Sequence, residues 1–526
     1  MIKIRLSYNK GYKWFNADNA YVKGFVLADD KVLRETELVD YFSSAKTDDD
    51  FKKKLQKANG LYSVIIKKEN AVWAAVDNVR AFPLFYCQKD DYFAVTDSPD
   101  EFAADNIPLM IDENNATILS YSGFVTGNKT LLKNIFQIVA GEAIFFENNV
   151  IRREFHTQFL TNHLFSCSRE ELKDKLKNAL FRTGEHLVKI LDNRPAFISL
   201  SSGFDSRVLA YLLKKNEYKN VTCYTYGPAD SPEIKNARLV AEKLGYDWYF
   251  IDYDEFNDKK MNYDPLYKEY SHFAANYSAQ ALEQDYFAMQ KLLSMNILPD
   301  NAVFVAGHSG AIAGSSLIKN MSDPLFSYVD YVLETTFAQV FPYKKDRGIL
   351  RKEIAFLDDT EIRKKYPPHL IYENWRFKEH TSKCIHNAAK IWDFFGYEYL
   401  LPLWDLELFN FFVKVPILHK CRKKLYKETL AELFEEYDIF FKHEELYPSE
   451  KLVRKVAFRS KLKKKIPILK MFVNIWKTDS TDAKSFTKSF IEELKKEKGY
   501  RKMLNINGIL SAWYLLEVRR KLEFFV

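Results

Sequence analysis

Short apolar runs separated by polar turn residues fill the first 160 residues of the chain. The runs are LYSVII (61–66), AVWAAV (71–76), PLFY (83–86), YFAVT (92–96) and AIFFE (143–147). The segments between them, such as Asp-Asn and Gln-Lys-Asp-Asp, are typical of hairpin turns. This pattern predicts a β-rich region.

The period of the apolar positions changes near residues 155–170. The segment 168–191, SREELKDKLKNALFRTGEHLVKIL, has apolar residues at a spacing near 3.6, acidic residues in its first turn and Ser168 as a candidate N-cap. It therefore predicts a long helix. The run AFISL (196–200) that follows is typical of a short buried strand.

Strands and helices then alternate along the chain. The pattern predicts a helix from about 206, a strand at 221–226, a helix at 232–245 and a strand at 248–252. Alternation of this length favours right-handed crossovers and a parallel sheet. After the apolar run AVFVAG (302–307) the sequence predicts mainly helices.

Length and composition limit the class of protein. A chain of 526 residues is long enough for two to four domains. Its apolar fraction of 47% and charged fraction of 28% exclude a disordered chain. No apolar run approaches the roughly 20 residues of a membrane span, and the N-terminus lacks an apolar signal core. We therefore expect a cytoplasmic protein without a transmembrane segment. The five cysteines are scattered without a CxxC pair, which indicates neither a disulfide framework nor a zinc site.

The charge is nearly balanced but locally clustered. Seventy-eight basic and 71 acidic residues give a net charge of +7, which does not by itself indicate nucleic-acid binding. Basic residues crowd the stretch from Lys451 to Lys465, and Arg422, Lys423 and Lys424 form a smaller cluster. Each cluster is either a solvated helix face or a contact with phosphate, from a nucleotide or an anionic membrane surface.

The segment Ser-Ser-Gly-Phe-Asp-Ser (201–206) lies directly between a predicted strand and a predicted helix. At such a junction the free backbone N–H groups and the positive end of the helix dipole suit pyrophosphate. Gly203 permits close approach of the backbone, and Asp205 can hold a Mg²⁺ ion that bridges phosphates. The alternative is a turn of small residues in which Ser201 caps the helix.

This loop resembles the SGGxDS signature of the PP-loop ATP pyrophosphatase superfamily, and the wider sequence resembles the asparagine synthetase family within it. Further blocks are similar to those of the family and occur in the same order, at 59–98, 123–146, 225–252, 303–316 and 395–416. The resemblance covers about residues 50–450. It implies an α+β protein of two domains. Residues 1–160 would form an Ntn-hydrolase-like β-sandwich of αββα type that resembles a degenerate glutaminase domain. Residues 168–526 would form an α/β PP-loop domain with a parallel sheet and added helices.

The resemblance also implies a reaction that uses ATP and Mg²⁺. ATP adenylates a substrate carboxylate with release of pyrophosphate, and an amine or ammonia then displaces AMP to form an amide. Pyrophosphate and Mg²⁺ would be held by Ser201, Gly203, Asp205 and Ser206, with Asp205 as the metal ligand. The nucleotide would be lined by Leu200, Tyr226, Ala306 and Gly307.

Two catalytic residues follow from the same resemblance. Glu398 falls on the glutamate that the family uses near the incoming amine, where a carboxylate could accept the proton released during attack. The alternative for Glu398 is a solvated or capping glutamate. The family also has a lysine late in this domain, against the charge that develops at phosphorus. Lys455 is the nearest match, and Lys451 is the second.

The sequence departs from the family at two functional positions. The family's glutaminase needs a cysteine as the mature N-terminal residue, but Ile2 stands here and the first cysteine is Cys87. We therefore expect no glutamine hydrolysis, as in β-lactam synthetase and lasso-peptide cyclases, two branches of the family without it. In addition, the family's Mg²⁺-binding aspartate falls on Ala311, which cannot ligate a metal.

Three hypotheses follow. The first is an amide-forming ligase that acts on a small carboxylate, a sugar acid or a peptide and binds no nucleic acid; the intact Asp205 and Glu398 favour it. The GHSG…AGSS form of the block at 303–316 also resembles asparagine-synthase-like proteins of bacterial surface-polysaccharide clusters. The second is a pseudoenzyme that binds a nucleotide or a partner, which Ala311 favours. The third is a PP-loop tRNA-modifying enzyme, although the chain has no recognisable RNA-binding appendage or thiol pair.

Overall fold

The computed structural model describes residues 1–256, 260–308, 310–340, 345–441, 486–497, 503 and 505–523. Lys455 and Lys451 lie outside the described residues. The strands are β1 Ile2–Arg5, β2 Trp14–Ala17, β3 Ala20–Ala28, β4 Lys31–Arg34, β5 Asn59–Lys67, β6 Ala71–Val76, β7 Phe85–Lys89, β8 Tyr92–Thr96, β9 Phe136–Gln137, β10 Glu142–Glu147, β11 Val150–Phe155, β12 Ala196–Ser199, β13 Val221–Gly227, β14 Asp247–Asp252, β15 Val303–Val305 and β16 Glu398–Leu400.

The α-helices of the described residues carry the labels α1 to α18. They are α1 Glu35–Ser43, α2 Asp48–Lys57, α3 Glu113–Ser122, α4 Arg169–Leu191, α5 Phe204–Lys215, α6 Pro232–Leu244, α7 Pro265–Ala275, α8 Tyr286–Ser294, α9 Tyr328–Thr335, α10 Arg347–Ile354, α11 Thr360–Lys365, α12 Pro368–Arg376, α13 Lys390–Phe394, α14 Leu406–Phe412, α15 Ile417–Lys420, α16 Lys424–Phe434, α17 Phe486–Leu494 and α18 Ile506–Glu523. A π-helix, Phe377–Ile385, continues α12.

Two sheets stacked face to face form the N-terminal part. One has the order β1-β8-β7-β9, and the other has the order β11-β10-β6-β5-β3-β2 with β4 paired to β3. Their facing sides share one core, in which the rings of Phe93 and Phe146 stack with centroids 3.9 Å apart. Every residue of β6 is buried, because both faces of its sheet are covered.

Helices cover both outer faces of this sandwich. Phe42 of α1 and Phe51 of α2 pack against the seven-stranded sheet. Leu119 of α3 and Val518 of α18 share a core with Phe85 of the four-stranded sheet. The four layers are the αββα arrangement that the resemblance implies, so the expected fold of this part is confirmed. Helices α1 to α3 were not assigned from the apolar pattern alone.

The second part contains a parallel sheet of order β14-β13-β12-β15-β16. The predicted helices and strands of this part are confirmed to within two residues, as with α5, which begins at Phe204 instead of 206. Helix α4 begins with the predicted cap, since the Ser168 hydroxyl accepts a hydrogen bond from the Glu171 N–H in a capping box. Strand β16 was missed, because its three residues form a strand only by pairing with β15.

The N-terminal segment closes onto the chain that leads into β16. The Gly11 N–H donates to the Asp393 carbonyl at 3.0 Å, and a Cβ on Gly11 would lie 2.3 Å from the Tyr397 carbonyl oxygen. Because α18 also packs on the N-terminal sandwich, the division into residues 1–160 and 168–526 stays a prediction. Among the described residues, no helix combines the length and the apolar composition needed to cross a membrane.

Candidate nucleotide-binding site

The loop between β12 and α5 is held by its own serines. The Ser206 hydroxyl accepts a hydrogen bond from the Ser201 N–H at 3.0 Å and lies 3.0 Å from the Ser201 hydroxyl. The Ser201 hydroxyl in turn accepts from the Gly203 N–H at 3.1 Å. Gly203, and not Ser201, is the N-cap of α5, and no side chain caps that helix. Its first-turn N–H groups therefore have no side-chain acceptor at the cap, which is the geometry that suits an anion.

Asp205 lies next to the basic segment 422–424, which the sequence pattern identified as a charge cluster without linking it to the loop. The Lys423 ammonium donates to the Asp205 carboxylate at 2.6 Å. Burial raises the pKa of the Tyr426 hydroxyl well above its ordinary value, and the Asp205 charge raises it further. Burial lowers the pKa of Lys427, with the charge of Lys423 adding to the effect. Lys423 is thus a site residue that the motifs missed, although the run at 422–424 was its signal.

The buried side chain of Arg207 contacts the loop from the protein interior. Its side chain is fully buried, and its guanidinium donates to the Ser202 carbonyl within the loop and to the Ile439 carbonyl at 2.9 Å. Three aromatic rings surround the guanidinium, those of Phe204, Phe434 and Phe441. Because the Ser202 carbonyl is bound from the protein interior, Arg207 fixes the path of the loop backbone.

The loop after β15 lies against the first turn of α5. A Cβ on Gly307 would lie 2.7 Å from the Ser206 nitrogen, so only glycine permits this approach of the two backbones. The Ala306 N–H donates to the Leu400 carbonyl at 3.0 Å, which ties the same loop to β16. Ala311 lies a few residues further on, in the 3₁₀-helix Gly310–Ala313.

The predicted nucleotide-lining residues meet at one edge of the sheet. The Leu200 N–H donates to the Tyr224 carbonyl at 2.8 Å, and the Leu200 carbonyl accepts from the Thr225 hydroxyl at 2.7 Å. The ring of Tyr226, on the same strand, stacks on the ring of Tyr253 with centroids 4.9 Å apart. The structure therefore brings Leu200, Tyr226, Ala306 and Gly307 to the carboxyl edge that carries the 201–206 loop.

A buried carboxylate, that of Asp285, lies next to the predicted nucleotide-lining residues. The hydroxyls of Tyr224 and Tyr226 donate to Asp285 at 3.1 and 3.0 Å. Burial raises the pKa of Asp285 to about 6, although these hydrogen bonds act in the opposite direction. Asp285 belongs to a stretch, 270–290, in which the sequence shows no interpretable motif, so only the structure connects it to the site.

We expect Asp285 to make stability depend on pH. Its folded-state pKa is about 6 against an ordinary value of 3.8, so the folded state favours the protonated form and ionisation destabilises the fold. Stability should fall by about 3 kcal/mol as pH rises from about 4 to about 6. In Asp285→Asn this fall should disappear, since the amide does not titrate. Thermal unfolding of both proteins across this pH range tests the prediction, and parallel curves would contradict it.

Glu398 lies apart from the phosphate loop. Its carboxylate accepts hydrogen bonds from Arg194 at 2.8 Å and from Arg34 of the N-terminal sandwich at 3.2 Å. Strand β15 pairs with both β12 and β16, and its residue Val303 lies opposite Ala196 on one side and Glu398 on the other. Glu398 therefore lies at the same height in the sheet as Ala196, which is four residues before Leu200. At about 3.3 Å per residue this is roughly 13 Å along the sheet from the loop. The structure thus joins Glu398 to two guanidinium groups, and its catalytic role stays a prediction.

The residues of the loop suit a nucleoside triphosphate with its Mg²⁺ ion better than they suit a metal ion held by protein ligands alone. Within the described residues, no group of three or more His, Cys, Asp or Glu side chains could hold a metal. Mg²⁺ requires few protein ligands when phosphates and water complete its octahedron. The site therefore fits Mg²⁺ only together with phosphate, with Asp205 as its protein ligand.

Strand β12, the serine-rich loop and α5 at the carboxyl edge of a parallel sheet have the strand–loop–helix arrangement at which α/β domains commonly bind phosphate. The family model for asparagine synthase matches residues 188–265, which contain this loop. This segment is thus similar to the asparagine synthase family, in agreement with the family recognised from the motifs. The match ends before Ala306, Gly307 and Glu398.

Two curated relatives are also similar to part of the chain. The tRNA-specific 2-thiouridylases MnmA of Bartonella quintana (strain Toulouse) and Bartonella henselae (strain ATCC 49882 / DSM 28221 / CCUG 30454 / Houston 1) are each 33% identical over 93 residues. The match covers 15% of this chain and 22% of each relative, so the chain spans about a fifth of their length.

Solved structures are similar to a larger share of the chain at lower identity. A glutamine phosphoribosylpyrophosphate amidotransferase from B. subtilis, complexed with ADP and GMP, covers 57% of this chain with 58% of its own, at 12% identity and a TM-score of 0.18. An allosteric regulatory enzyme of purine biosynthesis covers 56% with 56% of its own, at 12% identity and a TM-score of 0.19. TM-scores this low carry no conclusion about fold or function.

Proposed function

We propose that the protein is an ATP-dependent ligase that adenylates a carboxylate and transfers the acyl group to an amine or ammonia, without hydrolysing glutamine. The observation that carries the proposal is the 201–206 loop, which lies within the asparagine synthase match and has Gly307 packed against its first helical turn. The substrate classes that suit this reaction are a small carboxylic acid, a sugar acid or a peptide carboxylate.

The triphosphate would lie on the first turn of α5. The uncapped N–H groups of that turn would donate to phosphate oxygens. Lys423, now hydrogen-bonded to Asp205, is close enough to the loop to exchange this carboxylate for a phosphate oxygen, with Lys427 beside it. Asp205 would hold a Mg²⁺ ion together with the phosphates, and the ion would neutralise part of their charge.

Adenylation makes the acid reactive because AMP leaves readily, whereas a carboxylate oxygen does not. A carboxylate oxygen attacks the α-phosphorus, and the bond to the β-phosphate oxygen breaks with release of pyrophosphate. The amine nitrogen then attacks the acyl carbon, AMP departs, and the nitrogen loses a proton. The resemblance implies Glu398 as the acceptor of that proton. Because its carboxylate is paired with Arg34 and Arg194 and lies roughly 13 Å along the sheet from the loop, the geometry does not favour this role.

The test is exchange of labelled pyrophosphate into ATP with a panel of carboxylic acids. We expect exchange that requires Mg²⁺ and one class of acid, and that identifies the substrate class at the same time. If no acid supports exchange and ATP with Mg²⁺ leaves the melting temperature unchanged, the proposal is wrong.

A second candidate is a nucleotide-binding pseudoenzyme. The observation in its favour is that the Lys423 ammonium is paired with the Asp205 carboxylate. The resemblance also implies that the family's Mg²⁺-binding aspartate falls on Ala311. The same experiment separates the two, because a pseudoenzyme would be stabilised by ATP but would show no exchange with any acid.

We expect the purified protein to release no glutamate from glutamine. Ile2 lies in β1, paired with Phe93 of β8, and carries no nucleophile. Cys87 is buried, and burial raises its pKa, so it does not supply a thiolate. Release of glutamate should equal that of a Cys87→Ser variant, and an excess over this control would overturn the interpretation of Ile2.

A further inference from the structure

The chain at the start of α8 holds the hydroxyls of two stacked tyrosines. The rings of Tyr226 and Tyr253 are nearly parallel, at 16°, with centroids 4.9 Å apart. The Tyr226 hydroxyl donates to the Asp285 carboxylate at 3.0 Å. The Tyr253 hydroxyl donates to the Gln284 carbonyl and accepts from the Ala288 N–H at 3.3 Å. The stacked pair is therefore held at both hydroxyls by one short segment of the chain.

The Asp285 carboxylate also contacts the ends of two neighbouring strands. It accepts from the Tyr224 hydroxyl of β13 at 3.1 Å and lies 3.5 Å from the Ser199 hydroxyl at the end of β12. Ser199 lies opposite Tyr224 in the sheet and two residues before the 201–206 loop. The Tyr224 hydroxyl in turn accepts from the Trp392 indole at 3.2 Å. One carboxylate thus joins side chains of both strands at the carboxyl edge that carries the loop.

Asp285 is buried without a neighbouring cation. It is 4% exposed, and among the described residues no Lys, Arg or His side chain forms an ion pair with it. Burial raises its pKa to about 6, so near neutral pH its ionised form destabilises the fold. Residues that lower stability are commonly retained at functional sites. The place of Asp285 beside the predicted nucleotide-lining residues therefore indicates a functional role.

Tyr226 is the member of the stacked pair that reaches the surface. Tyr253 and Asp285 are buried, whereas Tyr226 is partly exposed. Gly227 follows it at the end of β13, and a Cβ on Gly227 would meet nothing within 4 Å. The Tyr226 ring therefore borders open space at the carboxyl edge of the sheet. An aromatic ring in such a place suits stacking with a flat base.

We propose that Asp285 is a positioning residue that holds the Tyr226 ring on the Tyr253 ring, so that the pair presents a fixed aromatic surface to the purine base of ATP. The inference rests on the proposed function, because that function supplies the nucleotide. Without the bond to Asp285 the Tyr226 ring is free to rotate, and binding of the base must then order it. The loss falls on nucleotide binding, since the base lies away from the reacting phosphorus.

The test is the affinity for ATP with Mg²⁺, measured by calorimetry on the full chain. Asp285→Asn and Tyr226→Phe should each weaken the Kd at least about fivefold. The double variant should be no worse than the more affected single variant, because both changes remove the same interaction. The Kd for tripolyphosphate with Mg²⁺ should be unchanged in all three, since it has no base. In pyrophosphate exchange the KM for ATP should rise while the maximal rate stays within about twofold.

Tyr286→Phe is the matched control. The Tyr286 hydroxyl donates to Asp264 at 2.8 Å, which is also a tyrosine–aspartate bond, but its ring packs against Tyr267 and Tyr270. This variant should keep the wild-type Kd for ATP. The melting temperature separates positioning from a structural role. Asp285→Asn should not lower it near neutral pH, because the amide carries no buried charge.

The outcomes distinguish this inference from the proposed function. If the wild type binds ATP and both single variants keep its Kd, or if the two changes are additive, the inference is wrong and the ligase proposal stands. A loss of ATP and tripolyphosphate binding together, or a lower melting temperature with an unchanged Kd, would assign Asp285 a structural role only. If the wild type does not bind ATP, the ligase proposal fails and this inference with it. Should Asp285→Asn fail to fold, Tyr226→Phe decides by itself.

Discussion

Replacement of Asp205 by alanine should remove the Mg²⁺-dependent part of ATP binding. The wild-type melting temperature should rise with ATP and rise further with added Mg²⁺, whereas the variant should show no difference between the two conditions. Its affinity for ATP with Mg²⁺ should fall at least about 100-fold, which corresponds to about 3 kcal/mol. The reason is that Asp205 is the carboxylate of the loop able to ligate the ion.

The variant also removes the carboxylate with which Lys423 is paired, so ATP without Mg²⁺ should bind as well as before or better. This opposite response separates loss of a metal ligand from general damage to the site. Asp247→Ala is the matched control, because Asp247 is exposed at the amino end of β14, away from the loop. If Asp205→Ala keeps the full response to Mg²⁺, the phosphate-loop assignment is wrong.

Replacement of Gly307 by alanine should abolish pyrophosphate exchange with little loss of secondary structure. The added Cβ would lie 2.7 Å from the Ser206 nitrogen and 2.8 Å from its Cα, both backbone atoms that cannot rotate away. The first turn of α5 must then shift, and with it the N–H groups proposed to bind phosphate. A shift of this size should reduce exchange at least about 100-fold.

Gly348→Ala is the control for this substitution. Gly348 lies in α10, and a Cβ there would meet nothing within 4 Å, so alanine should be neutral or slightly stabilising. Circular dichroism should be unchanged in both variants. Normal exchange in Gly307→Ala would show that the loop after β15 does not shape the phosphate site.

The prediction of local structure from the sequence succeeded where periodicity was long or turn residues were frequent. Helix α4 has 23 residues and its own capping box, so local signals alone define it. Strand β16 has three residues and was missed, because nothing local distinguishes Glu398–Leu400 from the helices around it. The phosphate loop was found because its motif is contiguous. Lys423 and Asp285 were not, because each lies far along the chain from the residues that it contacts.

The sequence by itself determined the class of each half, the strand–loop–helix order around Gly203 and the absence of a nucleophile at Ile2. These are properties of neighbouring residues, and local physics is enough to specify them. Only the tertiary structure decided that Lys423 binds Asp205 and that Glu398 lies between two arginines. Burial and pairing of charges depend on which distant segments pack together, and that is settled by the whole fold.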